Sequence, residues 1–264
     1  MRSHFLRNVT DIALYLITFL LLPLVSTFVL LFIIPDRVVA NTLGYAISSL
    51  ITIVLFHFTN CSRLSTSYFN THPFGLLAWI ALLSIGLIAP SQYAQEFIGA
   101  DMPEATKQLL ETIISQPMGY IIIGLLAPIA EEMVFRGAIL RVLLKFTKNP
   151  WSAIVISAFI FGIIHGNIPQ FIHAFIIGLL LGWTYYRTGS ILPGIVLHWV
   201  NNSTAFLLYK IFPGKTDAKL IELCNGNTVI MYSVLAISFL LVAVSFWQLT
   251  RTIGMRKGVK DLKT

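Results

Sequence analysis

The chain has 264 residues, of which 56% are hydrophobic and only 11% charged, with a mean hydropathy of +0.82. A water-soluble domain carries roughly a quarter charged residues, so this composition excludes a soluble globule and predicts an all-α, polytopic transmembrane bundle. The net charge of +7 resides in Lys and Arg between apolar runs and at both ends, as the positive-inside rule expects, and no basic stripe interleaved with aromatics signals nucleic acid.

The first apolar run, Ile12 to Ile34 behind Arg2 and Arg7, is longer than the roughly 7–15 residues of a signal-peptide core and lacks a small-x-small cleavage site. It reads as a first spanning helix. A span needs about 20 apolar residues, and about eight segments are expected: 11–34, 41–59, 74–92, 117–145, 151–167, 170–186, 191–209 and 228–250. Pro117 is expected to start the fourth helix and Pro128 to kink it. The Arg136, Arg141, Lys145 and Lys148 that follow place its tail in or below the headgroups.

Charge fixes the expected orientation. With Arg2 and Arg7 cytoplasmic, the connectors holding Arg63, Arg141 to Lys148 and Arg187 fall inside. So does the tail with Arg251, Arg256, Lys257, Lys260 and Lys263. Glu96, Asp101, Glu104 and Glu111 fall outside, with the mixed Lys210 to Glu222 loop, and both termini come out cytoplasmic. Residues 1–264 read as a single membrane domain. No inverted repeat of the transporter kind is evident, and Cys61 and Cys224 form no CxxC.

The informative residues are polar ones within apolar helices. Glu131 and Glu132 end an apolar run, where an acid at a helix centre costs about 3 kcal/mol. Glu132 and Arg136 are spaced i,i+4 with the acid first, the better order for an ion pair. Glu131, about 100° round the helix, has no local cation. It is either a base with a raised pKa or a shallow group solvated beside the basic residues. His165 ends the next helix, and His198 and Asn202 share one face of a later one. Each imidazole taken singly reads as a structural hydrogen-bonding group. Together, two acids, two histidines and an asparagine at membrane depth could supply a base, a water-orienting partner and oxyanion donors. Glu131, His165 and His198 could instead ligate a divalent metal such as zinc, although HExxH is absent. Counted from Pro117 and Trp151, Glu131 and His165 differ in depth by roughly 12 Å, a gap that tilt, shifted boundaries or the Pro128 kink must close.

At these residues the chain resembles the CAAX-protease and bacteriocin-processing (CPBP, or Abi) family of intramembrane peptidases, which includes the Rce1-type endopeptidases. EExxxR appears as Glu131, Glu132 and Arg136, and FxxxH as Phe161 and His165. The motif FxxGxxxGxxxxxTGSxxxxIxxHxxxN appears as Phe175, Gly178, Gly182, Thr188, Gly189, Ser190, Ile195, His198 and Asn202. The resemblance covers about 117–202, the expected catalytic core. It implies a helical bundle with a membrane-embedded cavity in which Glu131 and His165 activate water. His198 and Asn202 would stabilise the oxyanion, and Glu132 with Arg136 would support them.

The reading that follows is a glutamate-type endopeptidase acting on membrane-associated peptides or proteins, with no cofactor favoured. A non-enzymatic immunity or signalling factor retaining the motifs is the alternative. An ion-coupled transporter is disfavoured by the missing repeat. Gly178 and Gly182 are expected on a tight packing face, Thr188 to Ser190 in a turn, and His173 in a structural hydrogen bond.

Overall fold

The computed structural model describes residues 2–59, 74–99, 101–212 and 218–254, with side chains from residue 6 to residue 253. All regular structure among them is helical. Arg63, Cys61 and the basic tail from residue 255 lie outside the described residues, as does the side chain of Arg2. Eight long helices stand where eight segments were expected. They are α1 (Arg2–Leu31), α2 (Arg37–Phe58), α3 (Phe74–Ile98), α5 (119–146), α6 (Pro150–Ile163), α7 (Ile168–Thr188), α8 (Leu192–Ile211) and α10 (Thr228–Gly254). Two short helices were not foreseen, α4 (Glu104–Ser115) and α9 (Leu220–Leu223).

The ends are written in the sequence. Asp36 caps α2 by accepting from the N–H groups of Val38 and Val39. Asn149 caps α6 and Asn167 caps α7, each followed by Pro in the first turn, where proline's missing donor costs nothing. At the end of α7, Gly189 takes φ 67°, the left-handed conformation that favours glycine, and the expected Thr188 to Ser190 turn follows. Gly166, at φ 72°, turns the chain between α6 and α7.

Five helices are long and apolar enough to cross a membrane: α1 from Leu6 to Leu31, α2, α3, α7, and α10 from Thr228 to Ile253. The chain is a multi-pass integral membrane protein. The other three expected spans, α5, α6 and α8, fall short for a physical reason. α5 and α8 carry the polar residues, and α6 has only 14 residues, about 21 Å against a hydrocarbon core of about 30 Å.

The core centres on α5, where every residue from Met133 to Leu140 is buried. The lower half of α5 meets α1 and α6, and its upper half meets α2 and α8. Beyond them α3 packs on α8 and α10. The outer helices α1 and α10 present Leu24, Phe28, Ile237 and Leu240 outward, as lipid-facing surfaces do. Arg136, expected with the basic residues that lead toward the headgroups, is fully buried in this core. The tight Gly178/Gly182 face is present. A Cβ on Gly178 would meet Ala158 Cα at 3.1 Å, and one on Gly182 would meet Ile154 Cγ2 at 2.9 Å, so α7 lies close along α6.

Candidate active site

The site begins with a backbone irregularity. In α5 an α-helical turn, Ala127–Glu132, is flanked by two π-helical segments, Ile121–Leu126 and Met133–Leu140. Ala127 N–H reaches back five residues to the Ile122 carbonyl. The same pattern one residue on would pair Ile123 with position 128, but Pro128 has no N–H. The freed Ile123 carbonyl accepts instead from Asn202 Nδ2 of α8 at 2.9 Å. Wide turns of this kind recur at functional sites; here one joins the expected Pro128 irregularity to an expected site residue.

The i,i+4 ion pair forms inside the protein. Arg136 Nη1 donates to Glu132 Oε1 at 2.8 Å, and neither side chain has exposed surface. Two charges in low dielectric need every available partner, and Arg136 has others. Its Nη2 donates to the Gly178 carbonyl at 3.3 Å, and its guanidinium lies 4.5 Å from the Phe161 ring centroid. Gly194 of α8 closes the far side of the carboxylate, since a Cβ there would stand 2.6 Å from Glu132 Oε2.

Glu131 does not share Arg136. Its Oε2 lies 3.6 Å from His198 Nε2, while His198 Nδ1 lies 3.4 Å from Glu132 Oε1. The imidazole thus stands between two carboxylates, one of them already neutralised by Arg136. Glu131 keeps 18% of its side-chain surface and Glu132 none, so only the first acid is open to water. On α3, Ser84 Oγ donates to the Leu197 carbonyl at 2.8 Å, pinning α8 beside His198.

Phe161 gathers the parts. The rings of His165 and His198 both stand edge-on to it, with centroids 5.2 and 5.7 Å away. His165 Nδ1 bonds the Phe161 carbonyl at 2.8 Å. A carbonyl only accepts, so the neutral ring carries its proton on Nδ1 and keeps a lone pair on Nε2. The 12 Å depth mismatch closes because Pro117 is the wrong origin. Measured from the shared connector, Glu131 lies about 22 Å before Phe146, and His165 lies about 22 Å after Pro150.

Three residues of this region carried no sequence motif. Gly194 could have been found one turn before His198 on the same face, and Asn201 as the unexplained twin of Asn202. Ser91 gave no signal. His173 has the structural hydrogen bonds expected of it, to Ser91 Oγ at 2.9 Å and Asn201 Nδ2 at 3.1 Å. Among the described residues, no group of three or more His, Cys, Asp or Glu side chains is arranged to hold a metal ion.

Residues 113–204 match the family model described as type II CAAX prenyl endopeptidase Rce1-like. A Bacillus subtilis (strain 168) protein named "Putative membrane peptidase YdiL" is 31% identical over 130 residues, covering 49% of this chain and 52% of that protein. The same organism's "Uncharacterized protein YyaK" is 28% identical over 140 residues, covering 49% and 47%. This chain thus spans about half the length of the curated relatives it matches. No solved structure matches. Residues 113–204, which hold the buried ion pair, both edge-on imidazoles and the Asn202 anchor, are thus similar to the Rce1-like family.

Proposed function

We propose that the protein is an intramembrane endopeptidase that hydrolyses peptide bonds of membrane-associated peptides or proteins with a glutamate-activated water. The observation that carries this reading is the 3.6 Å approach of His198 Nε2 to the water-accessible Glu131, with Glu132 withdrawn into its own ion pair with Arg136.

In this mechanism Glu131 takes a proton from water oriented by the Nε2 lone pair of His165. The water oxygen attacks the scissile carbonyl carbon, and the π electrons move to the carbonyl oxygen. Donors from His198 and Asn202 stabilise that oxyanion, in a site where little water competes. Collapse breaks the C–N bond, and the proton held by Glu131 passes to the leaving nitrogen. No step of this mechanism is routed through a metal. The charge bias of the loops supports cytoplasmic termini.

The test follows cleavage of a membrane-anchored reporter peptide by the reconstituted full chain, with Glu131→Gln and His198→Ala beside it. Each variant is expected to lose at least about a hundredfold in rate. Undiminished cleavage in both would defeat the proposed site. A cellular phenotype fully retained by Glu131→Gln would favour the immunity or signalling role instead.

A further inference from the structure

Ser91 and His173 have no part in the chemistry just described, yet with Asn201 they form a hydrogen-bonded line that ends on Asn202. Ser91 Oγ lies 2.9 Å from His173 Nδ1, and Asn201 Nδ2 lies 3.1 Å from His173 Nε2. The same Asn201 nitrogen is 3.2 Å from Asn202 Oδ1, and Asn202 Nδ2 is 2.9 Å from the Ile123 carbonyl oxygen. The line joins α3, α7, α8 and α5. Ser91 and Asn201 are both buried.

The last member sets the direction of every proton. A main-chain carbonyl only accepts, so Asn202 must turn its NH2 to Ile123. Its oxygen then faces Asn201, which must present NH2 in turn. That NH2 also reaches His173 Nε2, so this nitrogen is the acceptor and the neutral ring carries its proton on Nδ1. Nδ1–H donates to Ser91 Oγ, and the Ser91 hydroxyl donates to the Ile88 carbonyl at 3.0 Å. A flipped Asn201 would set its oxygen against that of Asn202. The observed orientation is kept although Asn201 Oδ1 is buried with no hydrogen-bond partner among the described residues.

We propose that His173 is a positioning residue: as an obligate acceptor it holds Asn201, which fixes the Asn202 carboxamide. The second Nδ2 hydrogen of Asn202 is thereby offered to the oxyanion in one orientation. Without that hold the carboxamide is anchored only through the Ile123 carbonyl and can twist about it, carrying its second N–H off the line of the developing negative charge. The proposal rests on the hydrolytic reading above.

The experiment uses the reconstituted full chain and the same reporter peptide. His173→Leu is expected to lower kcat by about 10- to 100-fold with KM changed less than about twofold. His173→Gln, whose amide oxygen can accept from Asn201, recovers most of the loss. In an Asn202→Ala background, His173→Leu costs less than about threefold more, because both changes act on one group. Additive losses, or parallel loss of KM and folded yield, overturn the positioning role. Nitrogen-15 spectra of histidine-labelled wild-type protein, assigned by correlation to the sequentially assigned backbone, read the ring directly. A His173 proton on Nε2 overturns the relay even if each substitution unfolds the chain. Cleavage retained by Glu131→Gln sinks the hydrolytic reading instead, whichever tautomer His173 shows.

Discussion

The Asn202 carboxamide donates to the Ile123 carbonyl at 2.9 Å, and that carbonyl is free because the residue five positions on is Pro128. A helix irregularity thus becomes an anchor for a side chain on a neighbouring helix. Pro128→Ala restores a donor to Ile123 and releases Asn202. Alanine is the better helix former by up to about 3 kcal/mol in a helix interior, so the thermal midpoint should hold or rise. Cleavage of the reporter should fall about tenfold, near the worth of one hydrogen bond to a charged group. Thermal scans and turnover on the same preparation check the pair. Parallel loss of both would mean that Pro128 only shapes the helix.

The Glu132–Arg136 pair has no exposed side-chain surface, so its stability logic is that of a buried ion pair. Removing one charge strands the other and costs about 3–5 kcal/mol. Arg136→Met should therefore lower the midpoint sharply and reduce folded yield in detergent. Glu132→Gln with Arg136→Met, which strands neither charge, should recover much of that stability. Recovery of the fold without recovery of cleavage is the expected signature. An Arg136→Met protein as stable as the parent would show that the pair is not desolvated.

Much of this was legible in the sequence because a polar residue in an apolar helix is conspicuous. The Glu132–Arg136 spacing named its own partner, and eight long helices stand where hydrophobic runs placed them. The starts of α6 and α7 are also written locally, in Asn149 before Pro150 and in Asn167 two residues before Pro169. What could not be read has a common cause. The π-helical turns of α5 have no local propensity signature, so the freed Ile123 carbonyl was invisible. The burial of Arg136 depends on α7 and Phe161, not on its neighbours in sequence, which are basic and pointed to a headgroup position. The depth of Glu131 depended on which end of α5 served as origin. Amphipathic α4 was missed because Glu104 and Glu111 read as an acidic loop.

Gly194 sets two preferences against each other. Gly194→Ala should favour helix α8 locally by about 1 kcal/mol. The added Cβ, however, would stand 2.6 Å from Glu132 Oε2, well inside contact distance. The carboxylate must move, and it carries Arg136 at 2.8 Å and His198 at 3.4 Å with it. The expected result is a folded protein with cleavage reduced about 10- to 100-fold. Wild-type turnover in a folded Gly194→Ala protein would show that Glu132 need not hold its place for catalysis.

Metal dependence separates the proposed chemistry from its nearest rival. A zinc hydrolase would need three protein donors around the ion, with water as the fourth. Here His165 Nδ1 donates to the Phe161 carbonyl, which leaves Nε2 open to either a water or an ion, and His198 places its two nitrogens near different carboxylates. The proposed chemistry calls only for water acting between Glu131 and His165. Prolonged chelation followed by elemental analysis should give protein with less than about 0.1 equivalents of zinc. Its turnover should stay within about twofold of the untreated enzyme, where loss of a catalytic zinc would cost several kcal/mol of transition-state stabilisation. Activity lost on chelation and restored by stoichiometric zinc would assign Glu131, His165 and His198 as ligands, with Glu131 no longer free to act as base.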